Sequence, residues 1–553
     1  MDPVASSLDT PKIDVHCHVF RSDDWAASSD HLVECSNQLG ISEVWCCSPI
    51  VGGRMADSSE VRAENDIVLG AISRHPTRIR GLCFVIPGSD AIPEIDRCLD
   101  AGMIGIKLYN QYRINDPVVR PIIELALDRR VPILEHAGAP NAEHKGGQPL
   151  ISHGVHFAEV NDRYPDAIIY HAHMGGGGDW EYTIRAIRDC SPNLYIDVSG
   201  SNLDYDQVGF AVSELGAGRI LFGTDGTMAG SIGKVIEADI SEDERQMIWR
   251  GNATRILEEQ NLAPLVPKET ARAGPHVVPS AVSNTPDPLI DLNAWVGSFP
   301  FRSVAATPDS LLARMDRFGI EIAAVSSIES AYHRNVQPAN DQLFEALADY
   351  RDRLVPIPTV SPTYPKWEQD LATAVDSGAR GIRLIPQTHD YRLTNPLGHA
   401  VIKAISATGL PVFLPHRIED PRQHHWMDPG SAIDLGDIAD IVEAFPETTF
   451  VINNGRTIYR SPLWRREALR SLPWYVDLSL AEIHYSLHWG LANARDLANM
   501  IDEGGDTHLV FGTHQPFSYV ASARVKLATL GLSEDALARI AGGVAAEILR
   551  LDR

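Results

Sequence analysis

The chain carries the stretch IDVHCH at residues 13–18 and a close copy of it, IDLNAW, at residues 290–295. Five further segments recur in the same order, each with a partner in the second half: GIKL (105–108) and GIRL (381–384), VPIL (131–134) and LPVF (410–413), YIDVS (195–199) and YVDLS (475–479), LFGTD (221–225) and VFGTH (510–514), and SED (241–243) and SED (533–535). Six matches in one order are not expected by chance, so the chain is a tandem duplication.

The two copies are separated by a stretch without helical or alternating periodicity. Residues 263–288 are rich in Pro, Ser and Ala, a composition typical of an extended linker. The boundaries predicted from this pattern are 1–262 for the first unit, 263–288 for the linker and 289–553 for the second unit. Each unit then has about 260 residues, close to the ~250 typical of a (β/α)8 barrel.

Within each unit, short β-rich runs alternate with longer amphipathic stretches. SEVWCCSPI (42–50), VPILEHAG (131–138) and RILFGTDG (219–226) are typical of buried strands, and PVVRPIIELALDRR (117–130) is typical of a helix. This alternation predicts an α/β fold with parallel strands covered by helices. Because polar residues follow strands throughout the unit, we expect two tandem (β/α)8 barrels rather than open sheets with a single switch point.

Composition excludes several classes of partner. The net charge of −25 argues against nucleic acid and anionic membranes, since both need clustered Lys and Arg. The first residues lack a signal-peptide pattern, and no apolar run approaches the ~18 residues of a membrane span, so we expect a soluble, cytoplasmic protein. All seven cysteines precede residue 191 in no recognisable metal spacing, which favours buried, reduced thiols.

A histidine pair on the first predicted strand is the start of a candidate site. His16 and His18 stand two residues apart, so their side chains point to the same side. Alone this spacing is weak evidence, because buried histidines are commonly hydrogen-bonded core residues. His136, His173 and Asp225 each end a later predicted strand, which would bring four imidazoles and one carboxylate to the catalytic face of a barrel. Such a set suits zinc, and also iron, manganese or cobalt.

This ordered set resembles the amidohydrolase superfamily, and within it the amidohydrolase-related branch. The resemblance covers nearly the whole first unit, through the H-x-H opening, HMGG (173–176), FGTD (222–225) and GNATRIL (251–257). The branch includes non-oxidative decarboxylases, such as those acting on aminocarboxymuconate semialdehyde and on γ-resorcylate, besides lactonases and other hydrolases.

The resemblance assigns roles to five side chains. It implies one divalent metal, zinc first, held by His16, His18, His136 and Asp225, with His173 as the acid/base. Asp225 could also relay a proton from a metal-activated water. The predicted function is a metal-dependent hydrolase of a small molecule. The alternative is a metal-dependent non-oxidative decarboxylase of a small carboxylic acid, aromatic acids included, and a non-catalytic binding protein is a third interpretation.

Lys107 supports a different metal arrangement. In binuclear members of the superfamily a carboxylated lysine ends the fourth strand and bridges two metals, and Lys107, His136 and His173 follow that order. The alternative is an unmodified cation that anchors a substrate carboxylate. The substrate-binding residues predicted around the site are Arg54, Lys107, Tyr109 and Tyr112.

Two further polar residues adjoin the candidate ligands. His171 is placed on the same face as His173, one layer deeper, where core packing or a hydrogen bond to a ligand is expected. Glu135 precedes His136 and points to the opposite face, so a structural pairing is expected for it.

The second copy lacks most of these side chains. Asn293 and Trp295 replace the histidine pair, Asn454 stands at the position of His173, and His514 stands at that of Asp225. Pro415 aligns with His136, one residue before a histidine. The second unit is therefore predicted to be catalytically silent. Our hypothesis for its retention is a fused pseudo-dimer, in which it serves the active barrel as a permanent partner.

Overall fold

The computed structural model describes residues 2–19, 24–139, 148–174, 179–265, 288–422, 425–480 and 494–551. Among them it separates two units, one with residues 2–202 and 206–265, the other with residues 203–205 and the described residues from 288 to 551. The predicted linker falls largely on residues 266–287, outside the described residues, so its boundaries stay a prediction. The two glycines of the HMGG motif, residues 175 and 176, also lie outside the described residues.

The first unit contains one parallel sheet whose strands follow the order of the chain. Its strands are β1 Lys12–His18, β2 Ile41–Cys47, β3 Ile79–Phe84, β4 Gly105–Leu108, β5 Ile133–Glu135, β6 Ile169–His171, β7 Leu194–Asp197 and β8 Ile220–Leu221. The sheet closes on itself, because the backbone N–H of Val15 in β1 donates to the carbonyl oxygen of Phe222 at 3.0 Å, and Thr224 N–H donates to His16 O at 3.2 Å. The predicted (β/α)8 barrel is confirmed.

Apart from one helix that precedes β1, the helices follow the strands and cover the barrel. In the first unit they are α1 Pro3–Leu8, α2 Trp25–Gln38, α3 Ser58–Arg74, α4 Ala91–Asp100, α5 Arg120–Arg129, α6 Gly154–Arg163, α7 Trp180–Ile187, α8 Gln207–Leu215, α9 Met228–Glu237, α10 Glu242–Gln246 and α11 Asn252–Glu259. Helix α3 begins at a capping box, in which Asp57 accepts from the backbone of Glu60 and the Glu60 side chain reaches back. Strand residues Leu82 and Leu134 share a buried apolar cluster with Ile256 of α11.

The second unit repeats this architecture. Its strands are β9 Ile290–Ser298, β10 Ala305–Ala306, β11 Ile322–Ser327, β12 Leu354–Pro356, β13 Ile382–Arg383, β14 Val412–Pro415, β15 Phe450–Asn453, β16 Trp474–Asp477 and β17 Leu509–Val510. They form two sheets, β10-β9-β11-β12 and β13 to β17. A bridge between Thr359 and Arg383 joins the sheets on one side, and Leu292 N–H donates to Phe511 O at 3.1 Å on the other. Apart from antiparallel β10, the described strands close into a second parallel ring.

The helices of the second unit again alternate with strands. They are α12 Pro308–Phe318, α13 Gln337–Ala346, α14 Trp367–Asp376, α15 Pro396–Thr408, α16 Leu435–Ala444, α17 Pro462–Arg465, α18 Ala494–Asp502, α19 Val520–Ala528, α20 Glu534–Ala538 and α21 Val544–Leu549. No helix in the described part of the chain is long and apolar enough to span a bilayer. The seven cysteines are all free thiols, as predicted.

A buried carboxylate on the first strand of each unit hydrogen-bonds to the residues that follow the last strand and so stabilises the closed barrel. Asp14 in β1 accepts from Thr224 through the backbone N–H at 3.0 Å and the hydroxyl at 2.6 Å. In the second unit, Asp291 accepts from Thr513 with the same two distances. Burial raises the pKa of Asp14 to about 7, against the effect of these donors. The repeated IDV and IDL motifs therefore have a structural basis that is independent of any metal.

Candidate metal centre

Three predicted ligands converge inside the first barrel. His18 Nε2 lies 2.9 Å from Asp225 Oδ1, and His16 Nε2 lies 3.9 Å from the same oxygen. One potential ligand atom of each residue lies within 4.8 Å of the others. The two imidazoles of β1 thus approach one carboxylate from the same side, as their two-residue spacing predicts.

Two residues of the site stand on left-handed backbone in the turns that follow their strands. His173 follows β6 with φ 64°, and Asp225 follows β8 with φ 48°. A positive φ is uncommon outside glycine and persists only where the surroundings hold it. Asn454 and His514, at the matching positions of the second unit, keep φ values of 56° and 61°. The turn therefore belongs to the shared scaffold, and only the side chain differs between copies.

His136 and His173 lie beside the three-residue group. His136 Nδ1 is 3.1 Å from His173 Nε2, and His173 Nδ1 is 3.6 Å from Asp225 Oδ2. His136 belongs to neither of the potential metal groups found among the described residues. Its Nε2 is buried and has no hydrogen-bond partner among the described residues, which suits an atom that completes a ligand set. Its role as the fourth ligand stays a prediction.

The electrostatics of the cluster fit a divalent cation. Burial alone would raise the pKa of the Asp225 carboxyl, but the imidazoles of His173, His18 and His16 lower it well below its usual range. Burial lowers the pKa of His173 and of His136 well below the ordinary histidine value. Burial lowers the pKa of His18, but the neighbouring Cys47 and Asp225 raise it to about 10, so metal binding requires this imidazole to release a proton. The site therefore presents an ionised carboxylate with neutral imidazoles at His136 and His173, the protonation states that metal binding requires.

Lys107 reaches the same cluster from β4. Its side chain is fully buried, and its Nζ lies 3.5 Å from His16 Nε2 and 5.7 Å from the centre of the Tyr109 ring. Within the described ranges Lys107 forms no ion pair with a carboxylate. A buried cation without a paired anion is expensive, so this lysine is suited to an anion supplied from outside the chain or to modification.

The other predicted substrate-binding residues differ in position. The ring of Tyr109 stacks on that of His136 with centroids 4.0 Å apart, which brings it to the cluster. Arg54 is largely exposed and holds Glu60 in a two-point contact at 3.0 and 3.3 Å, so its guanidinium is directed at α3. Tyr112 is half-buried in the turn beyond β4.

His171 does not share the surroundings of His173. Its ring packs against Phe157 of α6 with centroids 4.5 Å apart, and its Nδ1 lies 2.8 Å from the carbonyl oxygen of Ala172. The expectation of core packing is confirmed, whereas the shared face is wrong. Strand β6 ends at His171, and the left-handed turn that follows cancels the two-residue alternation.

Glu135 makes the structural pairing that was predicted, and this contact has a testable consequence. Its Oε1 accepts from the Ser152 hydroxyl at 2.8 Å. Burial raises its pKa to about 8, partly offset by Ser152 and Lys107. Between pH 4.5, which equals the ordinary pKa of a glutamate, and about pH 8, the folded chain therefore retains a proton that the unfolded chain has lost. The stability that Glu135 contributes falls as pH rises through this window.

We expect Glu135→Gln to become progressively more stable relative to the wild type between about pH 5 and about pH 8.5. The amide keeps the shape of the protonated carboxyl and does not titrate. Thermal unfolding across this pH range measures the difference, and Glu34→Gln at an exposed position of α2 serves as the control. A difference in Tm that stays constant with pH would contradict a raised pKa at Glu135.

Residues behind the cluster were not predicted as functional. Asp197 Oδ2 lies 2.8 Å from His16 Nδ1, and Ser199 Oγ lies 3.0 Å from His173 Nδ1. His18 Nδ1 lies 3.3 Å from the carbonyl oxygen of Cys47. The repeated YIDVS and YVDLS segments are the sequence signal that marks Asp197 and Ser199, but a repeat present in both copies does not distinguish a functional residue from a structural one.

The side chains at the matching positions of the second barrel form hydrogen bonds and ring contacts with one another. Asn293 Nδ2 donates to Asn454 Oδ1 at 2.8 Å and to Asp477 Oδ2 at 3.0 Å. Trp295 fills the place of His18, with the Arg383 guanidinium 4.1 Å from its ring. The Trp295 ring belongs to a buried cluster that includes Phe299, Val304, Ile328, Ala331, Ile385, Ile418 and Phe517. Both potential metal groups found among the described residues lie in the first unit, and the catalytic silence of the second unit stays a prediction.

Comparison with known proteins gives one family and a set of similar folds. No curated protein sequence matches the chain. Three of the similar solved structures are 2,6-dihydroxybenzoate decarboxylase from Rhizobium (19% identity, 45% of this chain and 98% of that one, TM-score 0.37), dihydroxybenzoic acid decarboxylase from Polaromonas sp. JS666 with bound manganese (21%, 46% and 99%, 0.37) and 5-carboxyvanillate decarboxylase from Sphingomonas paucimobilis (19%, 48% and 99%, 0.37).

The family assignment comes from the sequence of both halves. A family model described as amidohydrolase matches residues 50–258 and again residues 299–551. The two matches confirm the tandem duplication inferred from the internal repeat, and they extend over most of the chain. The chain therefore belongs to the amidohydrolase family and is an enzyme built from two copies of that family's barrel.

Proposed function

We propose that the first unit is a metal-dependent hydrolase of a small molecule, with His16, His18, His136 and Asp225 as the metal ligands. The observation that carries this proposal is the position of Asp225. One of its oxygens lies 2.9 Å from His18 Nε2, and the other lies 3.6 Å from His173 Nδ1. A single carboxylate thus joins the ligand group to the residue proposed as acid/base, which is the connection that water activation needs.

The donor set fits zinc first, with manganese, iron or cobalt as chemical alternatives. A divalent cation held there would lower the pKa of a water molecule and polarise the bond to be cleaved. Asp225 orients the attacking water through its ionised carboxylate. His173 is neutral because burial lowers its pKa, so its Nε2, the nitrogen that faces His136, accepts a proton from the water and returns it to the leaving group.

Lys107 favours a second candidate, the non-oxidative decarboxylation of a small carboxylic acid. Its buried ammonium group lies beside His16 without a carboxylate partner in the described part of the chain. A substrate carboxylate would pair with this cation, and the stacked ring of Tyr109 would contact an aromatic substrate. In this reaction His173 delivers the proton that replaces the lost CO2.

A carboxylated Lys107 that bridges two metals is the alternative to this cationic role. The two arrangements differ in metal count, since one uses a single ion and the other needs two. Metal analysis of the purified chain, together with anomalous scattering from a metal-loaded crystal, distinguishes them. One ion per chain supports a free Lys107 ammonium group, and two ions bridged at Lys107 would overturn it.

Isotope labelling separates the two candidate reactions. The full chain is loaded with Zn²⁺ or Mn²⁺ and assayed in ¹⁸O-water with small lactones, esters and amides. In parallel it is assayed with 2,6-dihydroxybenzoate and 5-carboxyvanillate, which combine a carboxylate with a phenolic oxygen. Product that contains ¹⁸O supports hydrolysis, and CO2 release without label in the aromatic product supports decarboxylation. His173→Asn is the catalytic control, and failure of the wild type to bind either metal would overturn both candidates.

A further inference from the structure

A buried carboxylate and a buried hydroxyl hold two imidazoles of the site from behind. Asp197 is fully buried, and its Oδ1 accepts from the backbone N–H of His173 at 2.9 Å and of Ser199 at 3.0 Å. The Ser199 hydroxyl lies 2.5 Å from the same oxygen. Its other oxygen, Oδ2, lies 2.8 Å from His16 Nδ1. All four contacts of the carboxylate therefore come from donors or from groups that can donate.

The hydrogen atoms in this network have one consistent arrangement. Asp197 can only accept, so His16 carries its hydrogen on Nδ1 and Ser199 gives its single hydroxyl hydrogen to Oδ1. The Ser199 oxygen, 3.0 Å from His173 Nδ1, is then an acceptor, so His173 also carries a hydrogen on Nδ1. His173 Nε2 is left as an acceptor for His136 Nδ1, 3.1 Å away. Each of the three neutral imidazoles thus carries its lone pair on Nε2. The lone pair of His173 faces His136, whereas those of His16 and His136 remain for a metal.

The second copy supports this arrangement independently. It keeps the carboxylate and the hydroxyl as Asp477 and Ser479, which are joined by a short hydrogen bond. Asn293 stands at the position of His16, and its Nδ2–H donates to Asp477 Oδ2 at 3.0 Å. The amide preserves the hydrogen that an imidazole would present from Nδ1 and lacks any atom equivalent to Nε2. Both copies therefore present an N–H donor to this buried carboxylate, from Asn293 in the second unit and from His16 in the first. Only the first copy has a second nitrogen, Nε2 of His16, on the side away from the carboxylate.

We propose that Asp197 and Ser199 are positioning residues that fix the Nδ1–H tautomers of His16 and His173, and through His173 that of His136. Their effect is to keep the Nε2 lone pairs of His16 and His136 free for the metal. This inference rests on the metal site of the proposed function. It adds to that site the two side chains that decide which nitrogen of each imidazole is available.

Asp197→Asn tests the carboxylate. Because two backbone N–H groups face Oδ1, the new amide must place its oxygen there and its NH2 towards His16. His16 must then accept at Nδ1 and carry its hydrogen on Nε2, where it blocks metal binding. We expect the affinity for Zn²⁺, measured by calorimetry on the full chain, to fall about 10- to 100-fold. Asp477→Asn, the matched change in the second unit, leaves the affinity unchanged.

Ser199→Ala tests the tautomer of His173 without changing the charge of the site, because serine and alanine are both neutral. Asp197→Asn, in contrast, removes a negative charge as well. Without the Ser199 oxygen, His173 is free to shift its hydrogen to Nε2 and His136 loses its ligating lone pair. We expect a fall in Zn²⁺ affinity at the lower end of the same range, a changed Co²⁺ absorption spectrum, and recovery of both in Ser199→Thr. Ser479→Ala in the second unit is the matched control.

The outcomes are distinct. Wild-type affinity in folded Asp197→Asn, or equal spectra for Ser199→Ala and Ser199→Thr, would overturn the tautomer assignment while leaving the metal site intact. If Asp197→Asn does not fold by circular dichroism, the Ser199 pair still decides. Absence of metal binding by the wild type itself would instead count against the proposed function.

Discussion

Replacing His16 by asparagine is expected to abolish specific metal binding while leaving the metal-free protein nearly as stable as the wild type. The affinity loss should exceed the roughly 100-fold known for residues that only support a ligand. The physical reason is visible in the second barrel, where Asn293 donates to Asp477 at 3.0 Å with no ligand atom beyond it. The same substitution at His16 keeps the donor that faces Asp197 and removes Nε2.

His16→Ala is the contrasting variant. It removes both the ligand nitrogen and the donor, and leaves Asp197 Oδ2 without its 2.8 Å contact. An unsatisfied buried acceptor costs about 1–3 kcal/mol, so we expect His16→Ala to be clearly less stable than His16→Asn in metal-free urea unfolding. Asn293→Ala should lose a similar amount in the second unit and keep full metal binding.

Metal linkage provides the second measurement for the same pair. A ligand that binds only the folded state, at a concentration 100 times its Kd, stabilises that state by about 2.7 kcal/mol. Added Zn²⁺ should therefore raise the unfolding temperature of the wild type, and EDTA should reverse the rise. Neither treatment should affect His16→Asn. A stoichiometric metal content in purified His16→Asn, with a normal rise in Tm, is the result that would remove His16 from the ligand set.

The fold and the centre of the site could be predicted because they depend on periodicity. The repeat set the number of barrels, and the two-residue spacing on β1 placed His16 and His18 on one side, where both approach Asp225. The carboxyl ends of parallel strands meet at one face, which brought residues from β1, β4 and the turn after β8 together. These conclusions need no knowledge of side-chain torsions.

The remaining assignments depended on local geometry that periodicity does not encode. The left-handed backbone at His173 interrupts the alternation of β6, so His171 faces Phe157 rather than the site. Arg54 pairs with Glu60 only six residues away, a contact set by loop conformation and rotamer choice. The role proposed for Asp197 could not be inferred from the sequence, because the second copy keeps Asp477 and a feature shared by both copies does not distinguish catalysis from framing.

Trp295→Ala should strongly destabilise the second unit and should leave metal binding untouched. Trp295 is fully buried in β9, its indole N–H donates to Asn293 Oδ1 at 3.2 Å, and the Arg383 guanidinium lies 4.1 Å from the ring. Truncating a buried tryptophan to alanine costs about 3–5 kcal/mol. The substitution also affects Arg383, because burial already lowers the pKa of this guanidinium to about 9 and Trp295 supplies one of the two aromatic rings beside it.

Equilibrium urea unfolding of the full chain measures this effect, with Zn²⁺ stoichiometry determined on the same preparations. Trp249→Ala is the matched change in the first unit, where the ring is equally buried and packs against Phe222 with centroids 4.9 Å apart. We expect both variants to lose stability, and only Trp249→Ala to weaken the retention of metal during unfolding. Trp295→Phe, which keeps an aromatic face for Arg383, should lose less stability than Trp295→Ala.

Loss of bound metal in folded Trp295→Ala would refute the assignment of the metal site to the first barrel alone. Near-native stability would instead show that Trp295 does not fill the place that a metal-binding histidine occupies in the other copy.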